Sequence, residues 1–116
     1  MPKGELTYRR GEIWWVELDP AVGVETQKTR ACLILQNNAG NKQGLITTVV
    51  PFLDSKNYPF VVNVQPTPMN NLDQARGLHL NQIRSVDYSR IKSKLGVIED
   101  EYFAAIKKAV DLQLGF

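Results

Sequence analysis

The chain has 116 residues, of which 43% are hydrophobic and 22% are charged, and its formal net charge is +2. This length suits one domain with a modest core, and the composition is ordinary for a soluble globular protein. No apolar run approaches the ~20 residues of a membrane span, and the N-terminus lacks the apolar core of a signal peptide. The single cysteine, Cys32, excludes an internal disulfide. We expect one cytoplasmic domain over residues 1–116, with residues 1–8 as a flexible extension.

Most of the chain carries patterns typical of short strands, separated by turn residues. The predicted strands cover residues 12–18, 29–36, 45–53, 60–65, 76–86 and 93–98. Pro51 lacks a backbone N–H, so it should mark the end of its strand or an edge. Residues 21–28 form a polar loop, and residues 66–75 are predicted to be the most mobile loop. After residue 98, apolar residues recur at helical spacing behind an acidic first turn. The fold class is therefore mainly β: a small curled β-barrel of five to six strands with a C-terminal α-helix.

The sequence offers little for metal or nucleotide chemistry. One histidine and one cysteine cannot form a ligand cluster, and the acidic residues lack the spacing of a metal loop. No glycine motif that cradles phosphate is present. A nucleophilic pair of Cys32 and His79 is conceivable, but Cys32 lies in an apolar run where burial favours an inert thiol. We expect no metal and no cofactor.

Metal-free cleavage of RNA suits the residues that remain. The 2′-hydroxyl is an internal nucleophile, so the protein has to move protons and bind the phosphate. Arg30 opens an apolar strand, and a guanidinium is a permanent, forked phosphate ligand. His79 is the one histidine and can carry a proton near neutral pH. Read without further information, Arg30 is also compatible with an ion-paired strand residue and His79 with a surface histidine.

Strand alternation predicts where two pairs of side chains point. If Leu78 and Leu80 face the core, His79 faces outward and shares its side with Asn81. Trp14 and Trp15 should point to opposite faces, so that one is in the core while the other stacks a base, lines an interface or is also buried. Several basic residues are compatible with solvated charge or with contacts to an RNA backbone. They are Arg9, Arg10, Lys92 and Lys94.

The order of motifs resembles the MazF/PemK toxins, the mRNA interferases of bacterial toxin–antitoxin systems. That pattern runs R-G-[ED]-[IV], then a D-P-x-x-G-x-E loop, then T-R-P and an apolar strand that ends in an Asn-rich turn. Here it is carried by residues 10–13, 19–25, 29–30 and 31–38. Residues 49–62, 80–91 and the C-terminal helix also match in order and spacing. The resemblance extends from residue 9 to about residue 114.

This resemblance implies an SH3-like barrel shared with the CcdB gyrase poisons, assembled as a homodimer. It implies sequence-specific, metal-independent cleavage of single-stranded mRNA through a 2′,3′-cyclic phosphate, which inhibits translation and growth. It also implies a cognate antitoxin that fills the RNA groove with a disordered segment. Arg30 matches the arginine of the T-R-P motif, which acts at the scissile phosphate.

Three departures from the family pattern affect the site. Ala31 replaces the proline of T-R-P. Leu53 stands where members usually carry a catalytic or phosphate-binding threonine. His79 and Asn81 stand where PemK-like members carry an Arg and an Asp as an acid–base pair. We therefore predict Arg30 and His79 as catalytic, with Asn81 orienting His79 or a phosphate oxygen. The candidates to replace the missing threonine are Asp54 and Ser55, or Thr47 or Thr48 if the strand register is shifted.

The remaining site predictions concern contacts with RNA and rival functions. The predicted RNA-binding residues are Glu25, Thr26, Gln27, Lys28, Gln82 and Arg84. For the four loop residues a plain solvated loop is an equal alternative, and Arg84 also suits an ion pair with Asp87. Two other functions compete with the endoribonuclease. One is a degenerate protein that binds RNA or titrates the antitoxin, and the other is a non-enzymatic gyrase poison of the CcdB type.

Overall fold

The computed structural model describes residues 6–18 and 29–115. Its strands are β1 (Glu12–Glu17), β2 (Thr29–Ile34), β3 (Ile46–Leu53), β4 (Val61–Val64), β5 (Arg76–His79), β6 (Arg84–Asp87) and β7 (Ile91–Val97). Its helices are α1 (Asn38–Asn41) and α2 (Phe103–Leu114). Short 3-10 turns cover Leu80–Gln82, Tyr88–Arg90 and Asp100–Tyr102. The prediction of a mainly β fold with a C-terminal helix is confirmed.

The strands form one antiparallel sheet in the order β4-β5-β3-β2-β1-β7, with β6 paired to β3. The prediction of a barrel is wrong on one point, because this sheet is not closed. Within residues 6–18 and 29–115, no ladder joins the edge strands β4 and β7. The C-terminal helix packs instead against β4 and the Leu80–Gln82 turn. It therefore covers the sheet beside an open edge.

β3 exchanges one partner for another along its length. Its first half pairs with β6, at Ile46 to Val49, and its end pairs with β5, at Phe52 and Leu53. Pro51 lies between these two ladders and opposite Cys32 of β2. The prediction that Pro51 marks an end or an edge is therefore wrong. A residue without an N–H is tolerated inside this strand because it falls where the partner changes.

The two faces of the sheet carry separate apolar clusters. Ala31 and Leu33 of β2 pack in one cluster, while Cys32 and Ile34 pack in the other. This confirms that the uninterrupted apolar run of β2 is buried on both sides. Burial raises the pKa of the Cys32 thiol to about 12, although Arg84 and Arg30 oppose that shift. The thiol therefore stays protonated at neutral pH and cannot serve as a nucleophile with His79.

The segment 6–8 is packed rather than extended. Tyr8 is buried, and its ring meets Trp14 edge-on at 4.9 Å and Tyr88 at 4.6 Å. At the end of the predicted extension, Tyr8 is thus part of the second cluster, since a large aromatic ring gains more by packing there than by remaining in water. Residues 1–5 lie outside the described residues.

The loop that was predicted to be the most mobile is held by a buried asparagine. Asn70 is fully buried, and its side chain makes four hydrogen bonds. Its amide group donates to the Gln65 carbonyl and to Glu99, and its oxygen accepts from the N–H groups of Thr67 and Leu72. Asparagine, a common turn residue, here replaces regular backbone pairing and ties residues 66–75 to Glu99.

Glu99 gives this network a dependence on pH. Burial alone would raise the pKa of Glu99, but hydrogen bonds from Thr67 and Asn70 hold it below its usual value. A lowered carboxyl pKa stabilises the fold at higher pH, and that stability is lost as pH falls through the folded-state pKa. We expect the Tm difference between the wild type and Glu99→Gln to be larger at pH 7 than at pH 3 in thermal melts. The same difference at both pH values would contradict this.

No helix within residues 6–18 and 29–115 is both long and apolar enough to cross a membrane.

Candidate active site

Arg30 is the second residue of β2 and is half-buried. Pleating places its side chain on the same face of the sheet as Cys32, whose thiol feels the Arg30 charge. Among the described residues, the Arg30 side chain has no hydrogen bond or ion pair. The alternative of an ion-paired strand residue therefore has no support in this part of the chain. A guanidinium held by a strand without an acidic partner is well suited to bind an anion.

His79 does not face outward as predicted. Its side chain is 9% exposed, and Nε2 lies 2.8 Å from the backbone carbonyl oxygen of Asp54. Since a carbonyl only accepts, Nε2 carries the proton of this bond and Nδ1 is the remaining nitrogen. The chain that follows β3 folds back over β5 and covers the ring. Gly77 permits this approach, since a Cβ there would lie 2.9 Å from the same Asp54 oxygen.

The strand registers nevertheless bring Arg30 and His79 to one face. Cys32 lies opposite Pro51 on β3, and Leu53 lies opposite Gly77 on β5. Residues two apart on a strand share a face, so Arg30 lies on the same face as Cys32, and His79 lies on the same face as Gly77. Leu53 of β3 lies on this face between them. Two strand spacings separate β2 from β5, or about 10 Å between their backbones.

The predicted substitutes for the missing threonine have different positions. Asp54 and Ser55 are exposed directly after β3, and the Asp54 carboxylate lies 3.7 Å from the Arg76 guanidinium. Thr48 is on the opposite face of β3 from Pro51 and Leu53, so the structure does not bring it to Arg30. Thr47 is fully buried and donates to Asn41 at 2.7 Å. Of these candidates, Asp54 and Ser55 remain close in sequence to Leu53.

The predicted long strand over residues 76–86 is divided by a 3-10 turn. Asn81 and Gln82 lie in that turn and are exposed, so Asn81 does not share a strand face with His79. The predicted burial of Leu78 and Leu80 is confirmed, because the turn keeps Leu80 in the core. Arg84 is exposed on β6 opposite Val49, and the Cys32 thiol feels its charge as well as that of Arg30.

Beside Arg30, a cavity of about 300 Å³ opens at the end of the first apolar cluster. Trp15, which is 37% exposed, lines it. Trp14 lies on the other face against Tyr8, which confirms that the two indoles point in opposite directions. The other lining residues are Thr29, Arg30, Ala31, Phe52, Asn71, Leu72, Asp73, Arg76 and Leu95.

Arg76 and Asp73 are site residues that sequence reasoning missed. The guanidinium donates to both oxygens of Asp73, at 3.1 Å and 2.8 Å. These hydrogen bonds lower the pKa of Asp73, which therefore stays ionised at neutral pH. The path of residues 66–75 brings this pair to the cavity at the start of β2, and no local sequence pattern predicts that position. Because Arg76 is matched by acidic groups, Arg30 is the cavity's cation without an acidic partner in the described part.

The predicted loop contacts cannot be placed. Glu25, Thr26, Gln27 and Lys28 lie outside the described residues. They precede Thr29, the first residue of β2, which lines the cavity together with Arg30.

Comparison with known proteins identifies relatives along nearly the whole chain. Two relatives named endoribonuclease MazF, from Staphylococcus saprophyticus and Staphylococcus epidermidis, are 29% and 31% identical over 110 residues. Each alignment covers 92% of this chain and 91% of the relative.

Solved structures share the fold at lower identity. The Mycobacterium tuberculosis toxin MazF-mt6 has a TM-score of 0.77 at 18% identity, over 90% of this chain and 97% of that one. MazF from Deinococcus radiodurans has a TM-score of 0.76 at 24% identity, over 97% and 100%. A mycobacterial endoribonuclease in complex with its cognate antitoxin has a TM-score of 0.74 at 19% identity, over 95% and 97%.

A family model describes the same stretch of chain that carries β1 through α2. It matches residues 9–114, which include Arg30, His79 and the cavity, and it is described as the PemK-like, MazF-like toxin of type II toxin–antitoxin systems. With this match and the staphylococcal relatives, the chain belongs to the PemK-like, MazF-like family of type II toxins.

Proposed function

We propose that the protein is an endoribonuclease toxin that cuts single-stranded mRNA at a short sequence without a metal ion. One observation carries this proposal: the half-buried Arg30 side chain has no acidic partner in the described chain, and the same residue lines a cavity with an exposed indole. The staphylococcal relatives named as endoribonucleases support it. A phosphodiester supplies the anion that this arginine lacks, and its bases supply surfaces for the indole.

The reaction requires the protein to bind one phosphate and move protons. The 2′-oxygen attacks phosphorus, its proton passes to a base, and the bond from phosphorus to the 5′-oxygen breaks. The products are a 2′,3′-cyclic phosphate and a 5′-hydroxyl that takes up a proton. Arg30 donates hydrogen bonds to the non-bridging oxygens, where negative charge develops. Ser55 is the hydroxyl we assign to a second phosphate contact, with Asp54 and Asn81 as flanking groups.

His79 is assigned to proton transfer through Nδ1, since Nε2 is engaged by the Asp54 carbonyl. The variant His79→Gln keeps a group that can donate to this carbonyl, but it has no titratable nitrogen. If His79 moves a proton, we expect cleavage to fall about 10²–10⁴-fold. The readout is the single-turnover rate of cleavage, together with a thermal melt of the variant. A wild-type rate for His79→Gln would reduce His79 to a residue that positions the Asp54 segment.

Leu53 favours a second candidate function. It lies on the face between Arg30 and His79, where an apolar side chain offers no hydrogen bond to a phosphate. A protein that binds RNA or titrates an antitoxin without cutting would tolerate this residue. The two candidates differ in whether purified protein cuts bare RNA.

The partners follow from the same family context. Solved relatives include toxins in complex with their antitoxins, so we assign this chain a cognate antitoxin that covers the RNA site. We also propose that it acts as a homodimer in the bacterial cytoplasm, where mRNA is available.

The test is incubation of the purified protein with a long single-stranded RNA in EDTA, without ribosomes. We expect cuts at one short sequence, with 2′,3′-cyclic phosphate on the upstream fragments. Intact RNA, at protein concentrations that bind it, would favour the non-cleaving candidate. Cleavage that needs added magnesium would contradict the proposed chemistry.

A further inference from the structure

We propose that the cavity beside Arg30 is a nucleobase subsite, in which a base adjoining the bound phosphate stacks on Trp15. This inference rests on the proposed RNA cleavage and adds the residues that receive the base. Trp15 is the exposed aromatic residue of the cavity lining, whereas Phe52 is buried, and Trp15 is more exposed than its neighbour Trp14.

The cavity has the lining that a flat aromatic ring requires. Its apolar lining comes from Ala31, Phe52, Leu72 and Leu95, together with Trp15. Its volume of about 300 Å³ lies at the lower end of the range for small-molecule sites. Base stacking on an indole tolerates any base, because every base presents a π face. The size and lining of the cavity therefore suit one base.

Part of the cavity lining is fixed to the sheet by backbone contacts. Asn71 has a φ of 59°, and its amide donates to the Leu95 carbonyl at 3.0 Å. Just beyond, Gly96 packs so tightly that a Cβ would lie 2.6 Å from the carbonyl oxygens of Met69 and Asn70. The Val97 N–H also donates to the Met69 carbonyl. These contacts hold the segment that carries Leu72 and Asp73, so the cavity exists before a ligand arrives.

The charges around the rim direct the phosphate to one side. Arg76 is matched by both oxygens of Asp73, and Asp54 lies 3.7 Å from it. Arg30 also lines the cavity and has no acidic partner among the described residues. Its side chain follows the Cys32 face of β2, whereas Ala31 and Trp15, which pair across β1 and β2, belong to the other face. An RNA strand that crosses the start of β2 therefore places its phosphate at Arg30 and the attached base in the cavity.

The chain's two tryptophans allow a matched experiment. Trp14→Phe leaves Trp15 as the sole indole, and Trp15→Leu leaves Trp14 while removing the stacking surface. The probe is a single-stranded RNA that contains the mapped cut site, with a 2′-deoxy sugar at the scissile nucleotide so that it cannot be cut there. Binding is followed by the anisotropy of a terminal dye and by tryptophan emission.

We expect the probe to quench the emission of Trp14→Phe with the same concentration dependence as the anisotropy. Trp15→Leu should bind about 5- to 150-fold more weakly, which is the range of a single base stack. Equal affinity of the two variants, or unchanged emission of Trp14→Phe at saturation, would overturn the subsite while leaving RNA cleavage intact. If the antitoxin quenches Trp15 and RNA does not, the cavity serves the protein partner and the proposal is wrong. If the wild type neither binds nor cuts RNA, the proposed function is wrong, and the subsite that depends on it is wrong as well.

Discussion

Replacing Arg30 with alanine is expected to lower the single-turnover rate of RNA cleavage by about 10²–10³-fold, the usual cost of removing one donor to a developing anion. The change should leave folding intact, because the Arg30 side chain has no hydrogen bond or ion pair among the described residues and is only half-buried. Arg30→Lys keeps the charge but loses the paired donors, so its cleavage rate should lie between those of the wild type and Arg30→Ala. The readout is the rate with saturating protein, together with a thermal melt of each variant.

Lys108→Ala is the matched control for this experiment. Lys108 is exposed on α2, and the variant also loses one positive charge. If the effect of Arg30→Ala came only from a weaker overall attraction to RNA, the two alanine variants would be slowed alike. If Arg30→Ala cleaves RNA at a rate within a few-fold of the wild-type rate, Arg30 has no part in the mechanism.

Asn70→Ala is expected to lower the free energy of unfolding by about 3–5 kcal/mol. The variant leaves the N–H groups of Thr67 and Leu72 and the carbonyl of Gln65 without their partner inside the fold. Each buried polar group that loses its partner costs about 1–3 kcal/mol. The readout is denaturant unfolding followed by circular dichroism.

Asn63→Ala provides the comparison. Asn63 also makes two bonds to backbone groups, both on Lys56, but it is exposed, so water can replace them. We expect a loss of about 1 kcal/mol or less for this variant. Similar losses for Asn63→Ala and Asn70→Ala would show that burial is not what makes the Asn70 network important.

The strands were predictable from sequence because their signal is local. The apolar run of β2 indicated burial on both faces, and the paired tryptophans of β1 indicated opposite faces. The helical spacing after residue 98 predicted α2, which covers Phe103–Leu114. In each case the pattern of neighbouring residues reflects directly which side of an element meets the core.

The errors arose where tertiary contacts decide. The 3-10 turn at Leu80–Gln82 keeps Leu80 buried and moves Asn81 off the strand, and alternation alone cannot show this. His79 is covered because residues after β3 return over Gly77, a close approach that only the folded chain displays. In the sequence, Asn70 resembles an ordinary turn residue, because its partner Glu99 comes close to it only in the folded chain.

One part of the candidate site was predictable from sequence, and the other part was not. Arg30 was predicted from its motif, and its lack of an acidic partner in the described chain agrees with a role in binding an anion. The cavity was not predictable, because Arg76, Asp73 and Asn71 come from a loop whose path is set by contacts with β7. Leu53 remains the departure that matters most for activity, since it lies on the face that the phosphate would occupy.

The most direct test of the account uses a single 2′-deoxy substitution at the nucleotide on the 5′ side of a mapped cut, in RNA kept in EDTA. The proposed mechanism has the 2′-oxygen as nucleophile, so cleavage at that bond should stop while cuts at other copies of the sequence continue. The unmodified RNA should yield 2′,3′-cyclic phosphate at the same position. Continued cleavage at the deoxy site would mean that water attacks the phosphate, and it would contradict the metal-free transesterification centred on Arg30.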